Sequence, residues 1–163
     1  MTVNASTQPP PEGGHPQRDE LSRELQATLA DLVDLALVGK QLHWSVVGPL
    51  SQPLHFQLAE LVDAWRDLAD AVAERAHALG TWPDGQASTL TAADPFGPLA
   101  SGPLEDFVVV QELTRRLAQI SERTRKRMER VGAIDLASQD VLIHVLQTLE
   151  NDLSMIRAQL PAA

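Results

Sequence analysis

Cysteine is absent from this chain, so neither a disulfide nor a thiolate metal site is open to it, and a reducing compartment suits it. Long apolar runs are absent too. No stretch reaches eighteen uncharged apolar residues, so nothing in the sequence is built to span a membrane. The first twenty residues, MTVNASTQPPPEGGHPQRDE, lack the basic-then-apolar order of a signal peptide. Positive charge is scarce: 13 Lys and Arg stand against 22 Asp and Glu, a formal charge of −9. That balance suits a protein that handles cations. It suits a tight general binder of nucleic acid poorly, because phosphate recognition needs a net positive surface. With 163 residues the chain is one domain by size and long enough for a real core.

The bases that are present crowd together. Seven of the thirteen are Arg115, Arg116, Arg123, Arg125, Lys126, Arg127 and Arg130. A solvated helix face laced with ion pairs, such as Glu112 with Arg116, accounts for them. A phosphate or partner surface is the sharper alternative, and these seven are the nucleic-acid candidates of the chain.

Residues 1–18 are rich in Pro, Gly, Ser, Thr and Gln and are expected to form a flexible tail, with Arg18 its one strong base. Residues 19–160 are expected to form a single helical domain. A first helix is predicted from about Asp19 to Val47, because Leu21, Leu25, Leu29, Leu32, Ala36 and Gly39 recur at intervals of three and four and His43 continues the stripe. Gly48-Pro49 stops it. A second helix starts near Ser51, with Pro53 tolerated in its first turn. Leu54, Leu58, Leu61, Trp65, Leu68, Val72 and Leu79 form its apolar stripe, and Gly80 caps its end. Residues 81–103 are dense in Gly, Pro, Ser, Thr and Asp. So long a connection predicts a crossover along a bundle, joining two parallel helices, with a short helical piece near Ser88–Ala93. Two further helices follow, about Leu104–Val131 and Asp135–Gln159. The fold class is all-α: a ferritin-like four-helix bundle whose long crossover carries a short extra helix. A bundle of two helical hairpins without metal fits the periodicity equally well, so the ligand pattern has to separate the two.

Four candidate metal ligands lie in two pairs. His43 and His55 are twelve positions apart across the Gly-Pro break, and Asp70 and Glu74 are four apart on one face of the second helix. Imidazole with carboxylate suits a divalent first-row metal such as iron. His55 and Asp70 are fifteen residues apart, about 22 Å along a continuous helix, whereas a metal–ligand bond spans about 2 Å. Either two chains share the site or it is not a site. Each residue also has an ordinary role open to it. His43 could be a hydrogen-bonded core histidine and His55 a surface or interface residue, and the two acids could be a solvated face. An ion pair along the helix is a thin account of Glu74, whose neighbours three and four away are Asp70, Ala71, His77 and Ala78. His77 continues the acidic face and is a second-layer candidate, while His15 and His144 have no evident partner.

The run GKQLHWSVVGPLSQPLHFQLAELVDAWRDLADAVAERAHALG, Gly39 to Gly80, resembles the DNA-binding proteins from starved cells, the Dps branch of the ferritin-like superfamily. Lys40, His43-Trp44, Val47-Gly48-Pro49, Leu54-His55, Asp70 and Ala73-Glu74-Arg75 carry the likeness, and the spacing His-x₁₁-His-x₁₄-Asp-x₃-Glu is that of the family's iron-oxidising centre. The resemblance implies a hollow cage of twelve subunits with a ferroxidase centre at each two-fold interface. His43 and His55 would come from one subunit and Asp70 and Glu74 from its mate, with Trp44 beside the site and Asp63 and Asp67 near the dyad. It further implies oxidation of Fe²⁺ by hydrogen peroxide or dioxygen, storage of the ferric product, a cytoplasmic location with nucleoid association open, and Asp135 and Asp140 as candidates for the ion channel. Helix capping is the alternative for both of these.

Two departures from the family pattern bear on function. The acidic residue usual four positions after the second histidine is Ala59 here, and the neighbouring Glu60 is turned about 100° away on the helix. The second of two iron positions is therefore expected to be weak. Ser154-Met155 stands where many relatives have a tryptophan before the methionine. Two rival functions follow: a DNA-compacting protein with little ferroxidase activity, and a structural or metal-sequestering cage with a degraded centre.

Overall fold

A computed structural model describes residues 16–93 and 97–160. Among these residues the element order is α1 (Pro16–Ser45), β1 (Val46–Val47), α2 (Ser51–Ala78), α3 (Ala87–Ala93), β2 (Leu104–Glu105), α4 (Asp106–Gly132) and α5 (Leu136–Arg157). The tail expected over residues 1–18 lies outside the described residues as far as residue 15. Residues 16–18 belong to α1, which opens on Pro16, a residue well suited to a first helical turn. At its other end α1 stops two residues short of Val47. Val46 and Val47 instead pair in parallel with Leu104 and Glu105, so the third long helix also starts two residues later than the periodicity predicts. Helical periodicity cannot register a two-residue bridge, because its partner lies nearly sixty residues away. The last helix ends at Arg157 rather than near Gln159.

The stripes predicted for the first two helices enter the core, joined by further apolar positions of all four long helices. Leu25, Leu32, Leu35 and Leu42 of α1, Leu58, Trp65 and Val72 of α2, Leu113, Leu117 and Ile120 of α4, and Leu142, Val145, Leu149 and Ile156 of α5 are all fully buried. Leu79, at the end of the α2 stripe, is partly buried against that core, as are Met128 and Leu153. α1 packs chiefly on α2 and α4 on α5, giving two hairpins laid face to face. The pairings across them fix the directions. Glu24, Asp31 and Asp34 of α1 meet Arg130, Arg123 and Arg116 of α4 in reverse order. Gln57, Trp65 and Arg75 of α2 likewise meet Gln159, Asp152 and Asp135. α2 and α4 therefore run parallel, as the long crossover predicts, and the architecture is an all-α four-helix bundle. No helix among the described residues is long and apolar enough to cross a membrane.

Three contacts hold α2 in place. At Gly39 α1 lies close against α2: a Cβ there would sit 2.7 Å from both Val62 Cγ2 and Trp65 Cζ3. The Trp65 ring cannot swing aside, because its Nε1–H donates to Asp152 Oδ2 of α5 at 2.9 Å in the buried interior. At the far end Arg75 donates to Asp135 Oδ2 at 2.7 Å and to Ser138 Oγ at 2.9 Å. Asp135 also caps α5 by accepting the Ser138 N–H. The Ser138 hydroxyl and then Arg75 hold its carboxyl at about 2, below the usual 3.8. The stability this group contributes is present above its ordinary value and is lost as pH falls through about 2.

Gly39→Ala brings two effects into competition. Alanine is better than glycine in a helix by about 1 kcal/mol, while forcing a methyl into a packed contact costs about 1–3 kcal/mol. With Trp65 tethered the second should win, lowering the melting temperature by roughly 2–6 °C; an unchanged or raised melting temperature would show that the interface yields.

Burial pushes the Asp152 carboxyl upward, and the Trp65 hydrogen bond only partly offsets it. A raised folded-state value means that ionisation works against folding. The group is stability-neutral below its unfolded value and weakens the protein as pH rises through the folded one. Asp152→Asn keeps an oxygen for Trp65 and cannot ionise. It should melt a few degrees higher than the parent at pH 7, and the gap should close toward pH 3. Melting curves at the two pH values check this, and a gap that widens on acidification would contradict it.

Candidate metal centre

The turn between α1 and α2 brings the two histidines together. Gly48 has φ +114°, a conformation that side chains rarely adopt, and a Cβ there would press on Asp106 Oδ2 at 2.7 Å. That same oxygen accepts the Leu50 N–H at 2.7 Å, so the turn is tied to the first residue of α4. Ser51 N–H closes on Gly48 O, and α2 then runs back antiparallel to α1.

Across this turn the imidazoles of His43 and His55 stack with centroids 3.6 Å apart and planes 24° apart. Each ring is held by the other's backbone: His43 Nδ1 lies 2.8 Å from His55 O, and His55 Nδ1 lies 3.0 Å from His43 O. A carbonyl oxygen can only accept, so both Nδ1 atoms carry the proton and both Nε2 lone pairs are left for another partner. Such an outer hydrogen bond fixes tautomer and ring orientation in metal-binding histidines. His43 is buried and His55 is exposed. Phe56 meets His55 edge-on at 5.9 Å, a neighbour that the sequence reading did not single out.

Asp70 and Glu74 project from the same continuous α2, both exposed. Among the described residues no three His, Asp or Glu side chains of one chain gather closely enough to hold a metal ion. The structure thus brings the histidines together and leaves the acids apart from them. Asp63 and Asp67 lie between the two pairs, both exposed, with Arg66 Nη1 3.6 Å from Asp63. Ala59 is half-buried one turn after His55, and Glu60 is exposed. Trp44 follows His43 but points outward, 68% exposed, with Lys40 Nζ 5.9 Å from its ring. His77 is exposed in the last turn of α2, with the Trp82 ring 5.0 Å away. Trp82 was not anticipated as a functional residue. A lone tryptophan in a Gly-, Pro- and Asp-rich linker was the available signal.

The remaining candidates find partners within the chain. Of the two proposed for the ion channel, Asp135 is the α5 cap paired with Arg75, while Asp140 is exposed in the first turns of that helix. Each of the seven bases on α4 pairs with an acid. Arg115 and Arg116 take Glu112, Arg123 and Arg127 take the buried Asp31, Arg130 takes Glu24, Arg125 takes Glu150, and Lys126 takes Glu122. Arg116 and Arg127 are themselves buried. The pairing supports the ion-pair account of this cluster, including the predicted Glu112–Arg116 bridge at 2.6 Å.

Comparison with known proteins adds a lineage to this geometry. A family model described as the ferritin-like domain matches residues 23–162. DNA protection during starvation protein 2 of Deinococcus radiodurans is 34% identical over 134 residues; the match covers 82% of this chain but only 56% of that protein, a little over half its length. The DNA protection during starvation protein of Mycolicibacterium smegmatis is 33% identical over 147 residues, covering 85% of this chain and 76% of that protein. Among solved structures, Dps92 from Deinococcus radiodurans superposes with a TM-score of 0.89 at 31% identity, covering 91% of this chain and 90% of the other. With sequence, bundle and histidine turn all in agreement, the chain belongs to the Dps branch of the ferritin-like superfamily.

Proposed function

We propose that this protein oxidises Fe²⁺ to Fe³⁺ and stores the product inside a closed cage of about twelve subunits, the number being that of the family. The centres are shared across each dyad, with His43 and His55 from one subunit and Asp70 and Glu74 from its mate. The observation that carries this reading is the locked histidine pair. Two rings held in one tautomer leave two Nε2 lone pairs for another partner, and among the described residues no acid of the same chain is near enough to complete the set. Two α2 helices packed antiparallel bring the missing carboxylates from outside. Iron is the substrate and cargo here. The imidazoles fix its position, and the carboxylates supply the charge that favours the ferric state. Peroxide or dioxygen takes the electrons; each peroxide needs two, one from each of two Fe²⁺. The work belongs in the cytoplasm, where ferrous iron persists. The relatives carry DNA protection in their names; for this chain we assign protection to the removal of iron and oxidant, with direct DNA contact weak, since the one basic cluster is already paired with acids of the same chain.

Sharing can be tested by complementation. His43→Ala cages and Asp70→Ala cages should each be inactive, because every centre lacks a ligand. Subunits mixed before assembly form some dyads with one intact centre beside one doubly broken centre. Random mixing should restore about a quarter of the parent activity. Equal residual activity in all three preparations would sink the shared centre.

Ala59 bears on the second iron position. Ala59→Asp adds a carboxylate on the face that carries His55 and Asp63, which a bound cation stabilises and an empty site does not. Anaerobic Fe²⁺ calorimetry should then show tighter binding or an additional ion per subunit, together with a lower melting temperature for the metal-free protein. An unchanged isotherm would mean that another group, such as Glu60 or an ordered water, already fills the position.

A further inference from the structure

The register of the dyad follows from the ligands and has a consequence beyond them. If Asp70 and Glu74 of one α2 lie beside the partner's His55, the two-fold axis crosses α2 about midway between residue 55 and residue 72, near residue 63 or 64. Leu50 lies about 14 residues, or about 20 Å, on one side of that point. His77 lies the same distance on the other side. The end of α2 that carries His77 therefore faces the partner's turn between α1 and α2.

Both places leave large apolar groups in water. Trp82 is 82% exposed, the most exposed large hydrophobic residue among those described, and around the turn Trp44 is 68%, Leu50 46% and Val47 38% exposed. A side chain so exposed is a candidate contact, since tryptophan is enriched at the energetic centres of interfaces. Trp82 is also held ready. Its ring leans on His77 at 5.0 Å and 58°, so it lies along α2 instead of trailing away from it. The backbone on either side is fixed. Gly80, at φ +75°, donates to His77 O at 2.8 Å, Thr81 N–H returns to Ala76 O at 3.0 Å, and Arg18 donates to Gly80 O. On the other side the Gln26 amide grips Asp84 by both its N–H and its carbonyl, at 2.9 and 2.6 Å. Ordering before contact lowers the cost of association.

We propose that Trp82, braced by His77, crosses the dyad onto the partner's turn, against Trp44 and Leu50 of the partner subunit, and covers the outward side of the metal centre that the partner's His43 and His55 begin. The occupant of each exposed patch is thus a second copy of the chain, and Trp82 is a positioning residue for iron. It touches no reacting atom and limits exchange of bound Fe²⁺ with solvent. The inference rests on the shared-centre reading above.

The absence of cysteine makes the placement directly testable. Within one chain, residues 50 and 82 flank the 28 residues of α2 and lie about 40 Å apart, so no disulfide can join them. In a Leu50→Cys/Trp82→Cys double variant, mild oxidation should give a covalent dimer on a denaturing, non-reducing gel, and neither single variant should do so. Val47→Cys with Trp82→Cys serves if the first pair disturbs assembly. For the role, Trp82→Ala cages loaded anaerobically with Fe²⁺ should release it to an external ferrous chelator several-fold faster than the parent, and Trp82→Phe should restore slow release. Absence of crosslinks in both double variants, in assembled cages, while the histidine and aspartate variants still complement, would overturn the placement of Trp82 alone. Failure of that complementation would remove the shared centre itself. Crosslinking with unchanged release would overturn the covering role.

Discussion

The stiffness of α2 governs most of what this molecule can do. Its 28 residues form one uninterrupted helix, about 42 Å long. The side that carries Leu58, Trp65 and Val72 faces the core, while His55, Asp70 and Glu74 lie outside it and are exposed. A loop could have folded its acids back onto its histidines. A straight helix cannot, so His55 stays apart from Asp70 and Glu74 of the same chain, and the centre proposed above takes its acids from a second chain. The surrounding contacts serve this geometry. Gly39 lets α1 lie close against α2, Trp65 ties it to α5 through Asp152, and Arg75 anchors its end to the α5 cap.

Charge is distributed with the same consequence. The α4 bases are matched to acids on α1, α4 and α5, and Asp31 accepts from two arginines at 2.6 Å each. A buried pair of this kind adds little net stability over a well-packed apolar equivalent, but losing one member is costly, so it fixes which face of α1 meets α4. With the bases used there, the outer face of α2 keeps Asp63, Asp67, Asp70 and Glu74 against Arg66. Two such faces meeting in the proposed dyad repel each other until cations lie between them. Binding of metal and stability of the interface are then linked, because a ligand held only by the assembled state favours that state.

Much of this was legible in the residues themselves. The three-and-four spacing of leucines and valines dictated four long amphipathic helices, because a helix with one apolar face has to bury it. Gly48-Pro49 and Gly80 marked the ends, and the length of residues 81–103 required a crossover. The spacing of His43, His55, Asp70 and Glu74 even excluded a site within one chain, since helical rise converts sequence separation directly into distance. Periodicity did not reveal the β1–β2 bridge or the grip of Asp106 on the Leu50 amide, because both join residues more than fifty positions apart.

What the tertiary structure decided is the state of each group. Sequence left His43 open between a core residue and a ligand; the reciprocal Nδ1 hydrogen bonds to the carbonyls of the pair settle its tautomer and direction, which depend on the fold of the turn. Sequence left the arginine cluster open between a solvated face and a phosphate surface; packing of α1 on α4 set acids against it. It left the pairing of Asp135 open; the approach of Arg75 and Ser138 fixes its carboxyl at the start of α5. Local pattern determines which face of an element is apolar, because that depends only on neighbours along the chain. Protonation, pairing and exposure depend on atoms brought in from elsewhere in the fold, so they were fixed only when the helices packed.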